Sequence, residues 1–347
     1  MTSLELAKRL GLSIASVALL LLVVEGGVRL AVPRVSRVNF TPLPISLRSK
    51  SDLPDVPYRL RPGGVGTHRF GSDPDGYFDA GAKLTYRINS LGFRGPETTL
   101  EKPPGVFRIV GIGDSFTFGI GVRSRDTFLG VLQRRLDAAF GGGAYEVLNL
   151  GASGYDTAAE VSLLEHFGLQ LEPDVVVLVF FPNDTGGGAA AVAFNASTPA
   201  ERQPWWRARL RLVDLLMSRH ERQQAVDGLV ASYRASFREG HPGWKRARRS
   251  LVRAKRLLDR RDATLVLVIF PVLWELSDDH PFARIHETVA AFAEGVGIPV
   301  LDLLPAFRGH RGPELWAHPN NQHPNARAHA IAGRDARILP TPTEMDS

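Results

Sequence analysis

The sequence predicts an α/β fold: a flavodoxin-like, three-layer α/β/α domain on a parallel sheet, preceded by an N-terminal transmembrane helix. Three observations predict it. Short apolar runs at residues 107–113, 145–150, 174–181, 263–270 and 298–302 read as buried strands. Helical patterns separate them; between the first two, Phe128, Leu132, Leu136 and Phe140 recur every fourth residue, a helix burying one face. Alternating β and α implies a parallel sheet with helices on both faces and every strand's C-terminal end on one rim. The third observation is a long apolar run near the N-terminus.

That run follows Lys8-Arg9, extends from Leu10 to Val24 and is unbroken from Val17. It reaches Val32 if Glu25 and Arg29 lie at the interface, which supplies the ~20 residues a spanning helix needs. A charged start and an apolar core also fit a cleaved signal peptide. No small-x-small cleavage site follows, so residues 1–32 are read as an uncleaved anchor. Residues 33–105 are rich in Pro, Gly and Arg and read as a linker with a small β appendage. Residues 106–338 form the main domain and 339–347 a tail. An insertion at 185–249 opens with Gly186-Gly187-Gly188 and then turns basic, with twelve Lys/Arg against five Asp/Glu. In it, Trp205-Trp206 adjoin Arg207, Arg209 and Arg211, followed by Leu212, Val213, Leu215 and Leu216. A helical flap with a solvated arginine face is the preferred reading; an amphipathic helix at a membrane interface is the alternative.

Four segments carry candidate chemistry. Gly113-Asp114-Ser115-Phe116-Thr117-Phe118-Gly119 follows the first strand, and Asn149-Leu150-Gly151-Ala152-Ser153-Gly154 the second. Phe181-Pro182-Asn183-Asp184 follows the third, and His323-Pro324-Asn325 opens a helix-like stretch near the C-terminus. A serine just past a strand end faces the crevice where open α/β sheets bind ligands. Its hydroxyl is a weak nucleophile until an imidazole accepts its proton. Glycine N–H and asparagine amide groups can donate to a developing oxyanion. Singly, these residues also read as a helix cap, a turn glycine, a turn asparagine and a surface histidine.

Together and in this order, the four blocks resemble the SGNH/GDSL hydrolase family, over roughly Phe107 to Gly333. The resemblance implies that Ser115 is the nucleophile and His323 its general base. It implies an oxyanion hole of the Ser115 N–H, the Gly154 N–H and the Asn183 side-chain amide. The activity it implies is an esterase or O-acyltransferase acting on an acyl ester, such as an acylated carbohydrate or lipid, without a cofactor. Tyr86 through Gly95 also resembles a segment ahead of the serine block in bacterial anchored members. There Asn89 reads as a turn residue and Arg94 as half of a structural ion pair, with a place near the substrate as the alternative. Anchored relatives imply an extracytoplasmic catalytic domain. The charge comparison of Lys8 and Arg9 with Arg34, Arg37, Arg48 and Lys50 mildly favours the opposite orientation.

One departure stands out. The family places an aspartate two or three residues before its histidine, to orient the imidazole and stabilise its charged form. Here those positions hold Asn321 and Asn320. An asparagine oxygen accepts the imidazole N–H but brings no charge. The site is therefore a Ser–His dyad oriented by Asn, or one in which Asp302 or Glu314 substitutes. The alternative is a catalytically impaired binding or assembly protein.

Composition sets further bounds. The chain has 347 residues, 44% of them apolar and 22% charged, with a formal net charge of +6. That balance suits an anionic membrane surface or acidic substrates. No nucleic-acid-binding signature is present. With no cysteine, disulfides and thiolate metal sites are excluded. His318, His323 and His329 are poorly spaced for one metal ion, so no metal site is expected. Gly111-Ile112-Gly113 lacks the third glycine of a dinucleotide loop, Phe116 taking its place. Asn195-Ala196-Ser197 fits a glycosylation sequon without other support.

Overall fold

The apolar runs are rich in β-branched residues and too short for buried helices, and they form strands. The computed structural model describes residues 3–31, 43–185, 209–319 and 321–335. The Gly186 run, the Asn195 sequon, Trp205-Trp206, Arg207, Asn320 and the tail lie outside the described residues. The first element is α1 (Ser3–Ala31), about 43 Å long at 1.5 Å per residue. Its stretch from Lys8 to Ala31 has a mean hydropathy of 2.1, long and apolar enough to cross a membrane, a property that signal sequences share. Two short antiparallel pairs follow. One joins β1 (Arg48–Ser49) to β2 (Arg59–Leu60), the other β3 (Val65–Arg69) to β4 (Lys83–Arg87). Burial alternates along the second pair, with His68, Leu84 and Tyr86 facing inward.

The main sheet begins with β5 (Phe107–Gly113). It is followed by α2 (Ser115–Phe118), α3 (Phe128–Phe140), β6 (Tyr145–Asn149), α4 (Thr157–His166) and β7 (Val175–Phe180). Next come α5 (Arg211–Ser236), α6 (Pro242–Asp259), β8 (Thr264–Ile269), α7 (Ala283–Gly295) and β9 (Val300–Asp302). The five strands lie in the order β6-β5-β7-β8-β9, all parallel, with Val110 beside Val176 and Val177 beside Val266. This is the flavodoxin-like order that the alternating pattern predicts. The chain closes with α8 (Leu304–Phe307), an antiparallel hairpin of β10 (Trp316–His318) and β11 (Asn321–Pro324), and α9 (Ala326–Asp335).

Helices α3 and α9 pack together against one face, while α4, α6 and α7 form the opposite layer. The centre of the sheet is dry: every side chain of β7 is buried. On the outer layer, Trp244 of α6 packs against Phe237, Phe180 and Phe292, with ring centroids 5.3, 6.4 and 5.6 Å away. The far side of α6 exposes Lys245, Arg249, Arg253 and Arg256, a solvated basic face. The start of α5 meets the end of α1. There the Glu25 carboxylate accepts the backbone N–H groups of Arg211 and Leu212, each at 2.7 Å, and pairs with Arg29. Leu210, at the N-cap of α5, offers no side-chain acceptor, so Glu25 meets that need from outside the helix.

The block His323-Pro324-Asn325 leads into a helix as read: His323 lies in β11, and α9 starts at Ala326, where Asn325 Oδ1 accepts the Ala328 N–H at 3.0 Å. One sequence expectation is corrected: among the described residues Arg94 has no carboxylate partner. It is buried and bonds backbone carbonyls instead, as described below.

Buried titratable groups make this core sensitive to acid. His329 of α9 is fully buried; its Nδ1 accepts the Phe128 N–H at 3.1 Å, and Nε2 has no protein partner among the described residues. Burial, then the nearby Arg94 and His323, push its pKa down to about 3. Burial likewise takes His68 down to about 4. Each imidazole is neutral when folded and must gain a proton on unfolding below its ordinary pKa near 6.5. The stability they contribute is complete above pH 6.5 and lost as pH falls toward 3–4. Buried carboxyls with raised pKa values act with the opposite sign, so the comparison must isolate one histidine. His329→Gln keeps an acceptor for Phe128 but cannot ionise. Its urea midpoint is expected to fall less steeply than the wild type's between pH 6.5 and 4; parallel curves contradict this account.

Candidate active site

At the end of β5 the chain turns at once into α2, a single helical turn with all four side chains buried. A Cβ on Gly113 would lie 2.1 Å from Thr117 Oγ1 and 3.1 Å from Val179 Cβ, so the turn requires glycine. Asp114 caps the helix, its Oδ1 accepting the Phe116 N–H at 2.8 Å. Ser115 is the first helical residue, with its Oγ 3.4 Å from Asp114 Oδ2 and 2.8 Å from His323 Nε2.

His323 comes from the β10–β11 hairpin. Two residues earlier, Asn321 Oδ1 lies 3.1 Å from the His323 backbone nitrogen and 2.5 Å from its Nδ1. The backbone N–H can donate only to oxygen, which fixes the orientation of the Asn321 amide. That oxygen accepts and never donates, so Nδ1 carries the ring hydrogen. Nε2 is left with its lone pair toward the Ser115 hydroxyl. Asp302 and Glu314 have other partners. Asp302 bonds His286 Nδ1 at 2.7 Å and the Leu304 N–H at 2.9 Å. Glu314 faces Arg311 and Arg327 at 3.6 and 3.4 Å. Asn320 lies outside the described residues.

Gly154 belongs to the loop after β6, which is held beside the serine turn by the Ala152 N–H donating to Gly113 O at 2.9 Å. Tyr58 OH donates to Ser153 O at 2.7 Å, and Tyr155 OH returns a bond to Tyr58 O. At φ +82° Gly154 adopts the left-handed conformation that favours glycine. Asn183 follows β7 in a short turn, and its Nδ2 donates to Asp114 Oδ2 at 3.0 Å. One amide hydrogen is thereby used and the other remains. Asp114 thus links the serine turn to the β7 turn. Phe116 stacks on Phe181 at 4.1 Å and lies 5.5 Å from the His323 ring, an apolar wall on one side of the imidazole.

The electrostatics favour neutral groups. Burial, with the His68 imidazole second, pushes the His323 pKa down to about 3. Burial raises the Asp114 carboxyl above its usual range, against hydrogen bonds from Phe116, Asn183 and Ser115 that lower it. Behind this shell, Glu160 and Asp184 are also buried and shifted well upward, by burial first and neighbouring carboxyls second. His68 was not singled out in the sequence, although its inward place in the alternating β3 pattern was the available signal. It stacks on Phe70 at 4.4 Å. Among the described residues, no group of three or more His, Asp or Glu side chains is arranged to hold a metal ion.

The GDSL-like lipase/acylhydrolase family matches residues 112–331, from the end of β5 into α9. No curated protein matches the chain. Three solved structures are similar to it. A lipolytic protein of the G-D-S-L family from Desulfitobacterium hafniense DCB-2 is 16% identical, covering 66% of this chain and 97% of that one, with a TM-score of 0.39. An acetylxylan esterase from Geobacillus stearothermophilus is 16% identical, covering 67% and 94%, with a TM-score of 0.43. LAE5, an α/β hydrolase from the metagenome of Lake Arreo, Spain, is 17% identical, covering 66% and 92%, with a TM-score of 0.42. The matched span takes in well over half the chain and all four blocks, from Ser115 through Gly154 and Asn183 to His323, and the chain belongs to the GDSL-like lipase/acylhydrolase family.

Proposed function

We propose that this chain is a serine esterase that cleaves an O-acyl ester through Ser115, held at the cell envelope by α1 with its catalytic domain outside the cytoplasmic membrane. The observation that carries this reading is the relay Asn321 Oδ1–His323–Ser115 Oγ, with contacts of 2.5 and 2.8 Å. As Oγ attacks the ester carbonyl, its proton moves to Nε2. The oxyanion is received by the N–H groups of Ser115 and Gly154 and the free amide hydrogen of Asn183, each such donor worth ~2.7–4 kcal/mol. The alcohol leaves with the proton from Nε2. Water, or a second alcohol in an acyl transfer, then attacks the acyl-enzyme by the same route in reverse.

Asn321 gives the imidazolium no counter-charge, and burial disfavours that cation further. This pairing favours a second reading, an impaired hydrolase kept as a binding or assembly protein. A serine-reactive phosphonate separates the two: label on Ser115 supports the esterase, and a folded protein that neither labels nor cleaves aryl esters supports the second reading.

Ser115→Ala is expected to abolish both labelling and ester cleavage while the protein stays folded, because it removes one hydroxyl at a strand end and no apolar core group. Label at another serine contradicts the assignment. Asn321→Asp is expected to raise kcat about tenfold, equivalent to ~1.4 kcal/mol, with little effect on KM, since the charge it stabilises develops along the reaction path. The sign of the pH effect follows. A low imidazole pKa places the acid limb of the wild-type kcat/KM profile below pH 6.5, and an aspartate partner favours the charged ring and moves that limb upward. Kinetics of both proteins on one aryl ester from pH 4 to 9 read both effects. Deleting residues 1–32 is expected to move the protein from membrane to soluble fractions. Full-length expression yielding a soluble chain already lacking them identifies a cleaved signal instead.

A further inference from the structure

Arg94 is a buried cation with no carboxylate partner among the described residues, 2% exposed, in the appendage segment ahead of β5. Its guanidinium donates through Nη1 to Phe118 O and to Gly119 O, the latter at 2.6 Å, and through Nη2 to Val122 O. It lies 4.8 Å from the centroids of both the Tyr86 and Phe118 rings. Its own backbone N–H donates to Asn149 O at 3.2 Å, which joins this segment to β6. The carbonyls it bonds lie at and just beyond the end of α2, where the backbone leaves the helix through Gly119 at φ +82°. Asn149 Nδ2 takes the preceding carbonyl, Thr117 O, at 2.8 Å, and Tyr86 OH accepts the Gly121 N–H at 3.0 Å.

The end of a helix leaves carbonyls without internal partners, and a buried helix cannot pass them to water. A guanidinium is the one side chain whose planar fork reaches several oxygens at once without being neutralised. A cation also complements the negative end of the peptide dipoles in the turn that carries Ser115. A buried charge without a counter-ion is costly, and an apolar side chain fills such space more cheaply. We propose that Arg94 is a positioning residue for the esterase reaction: it clamps the exit of α2 and so fixes Ser115 Oγ against His323 Nε2. The inference rests on the esterase reading of Ser115.

The test uses the full chain with Arg94→Ala and Arg94→Lys. Arg94→Ala is expected to lose 30-fold or more in kcat and in phosphonate labelling rate at Ser115, with KM within threefold. Added guanidinium is expected to restore at least a tenth of the lost kcat, and no such rescue is expected in Ser115→Ala. Arg94→Lys keeps the charge but not the fork, and is expected to lose about tenfold in kcat with a melting temperature close to wild type. The imidazole resonances of His323 supply a reading independent of turnover: Nε2 is expected to shift in Arg94→Lys while Nδ1, bonded to Asn321, does not. Wild-type kcat in Arg94→Lys, or a kcat loss in Arg94→Ala that guanidinium leaves untouched, overturns the proposal. If Arg94→Ala does not fold, the kcat and Nε2 shift of Arg94→Lys decide. A wild type that neither labels nor cleaves esters removes the esterase reading, and the Nε2 shift alone then decides whether Arg94 sets the Ser115–His323 contact.

Discussion

A single turn of helix buried on every side governs the rest of the architecture. The turn closes on itself through the Phe118 N–H to Asp114 O and the Gly119 and Ile120 N–H groups to Ser115 O, which leaves its other backbone groups to find partners elsewhere, and each buried group left without one costs ~1–3 kcal/mol. Its surroundings supply the partners from widely separated parts of the chain. Asp114 takes the Phe116 N–H, Asn149 reaches Thr117 O, Arg94 holds Phe118 O, Gly119 O and Val122 O, and Tyr86 accepts from Gly121. Asn183 then fastens Asp114 to the end of β7. The appendage is therefore part of the shell around the serine turn. Its inward residues Tyr86 and Phe93 belong to the same apolar cluster as Phe116 and Phe118.

The sheet supplies rigidity and a common rim, and the connections supply the chemistry. Three of the four blocks follow parallel strands whose C-terminal ends lie side by side, so Ser115, Gly154 and Asn183 all follow strand ends on one rim of the sheet. His323 has no such strand in the main sheet. It is carried by a separate hairpin, braced where Trp316 Nε1 donates to Leu273 O at 2.6 Å and where Asn325 N–H donates to Leu315 O at 2.8 Å. A donor and acceptor 208 residues apart in sequence thereby meet at 2.8 Å.

What could be read in the sequence follows the range of the interactions. Strands were legible because burial on both faces leaves continuous apolar runs, and their order followed from alternation with helices. The last strand is shorter than its run, beginning at Val300 after Pro299, which has no N–H to give a ladder. The serine, glycine, asparagine and histidine blocks were legible because each couples a residue type to a strand end or a helix start. Arg94 was misread because arginine usually pairs with acids, whereas backbone carbonyls as partners leave no trace in residue identity. The burial of Glu160 was hidden for a related reason. It lies on α4, which is buried almost all round, and a carboxyl in a helix ordinarily marks the solvent face.

That cluster of buried acids gives a physical rationale for asparagine at position 321. Asp114, Glu160 and Asp184 already hold carboxyl groups out of water behind the serine turn, each shifted upward by burial. An aspartate beside His323 would add a further charge to a region where charge is disfavoured, a cost to stability rather than to turnover. The amide oxygen supplies the orienting bond and fixes the tautomer while leaving His323 neutral, as its low pKa requires. In the esterase reading proposed above, the cost falls on the imidazolium formed during attack, and more of the transition-state stabilisation comes from donors facing the oxyanion. Two of the groups proposed for that role lie on bonded elements: Arg94 holds the exit of the turn that carries the Ser115 N–H, and Asp114 accepts from the Asn183 amide. In that reading a weak base and firmly held oxyanion donors are two sides of one dry, tightly bonded site.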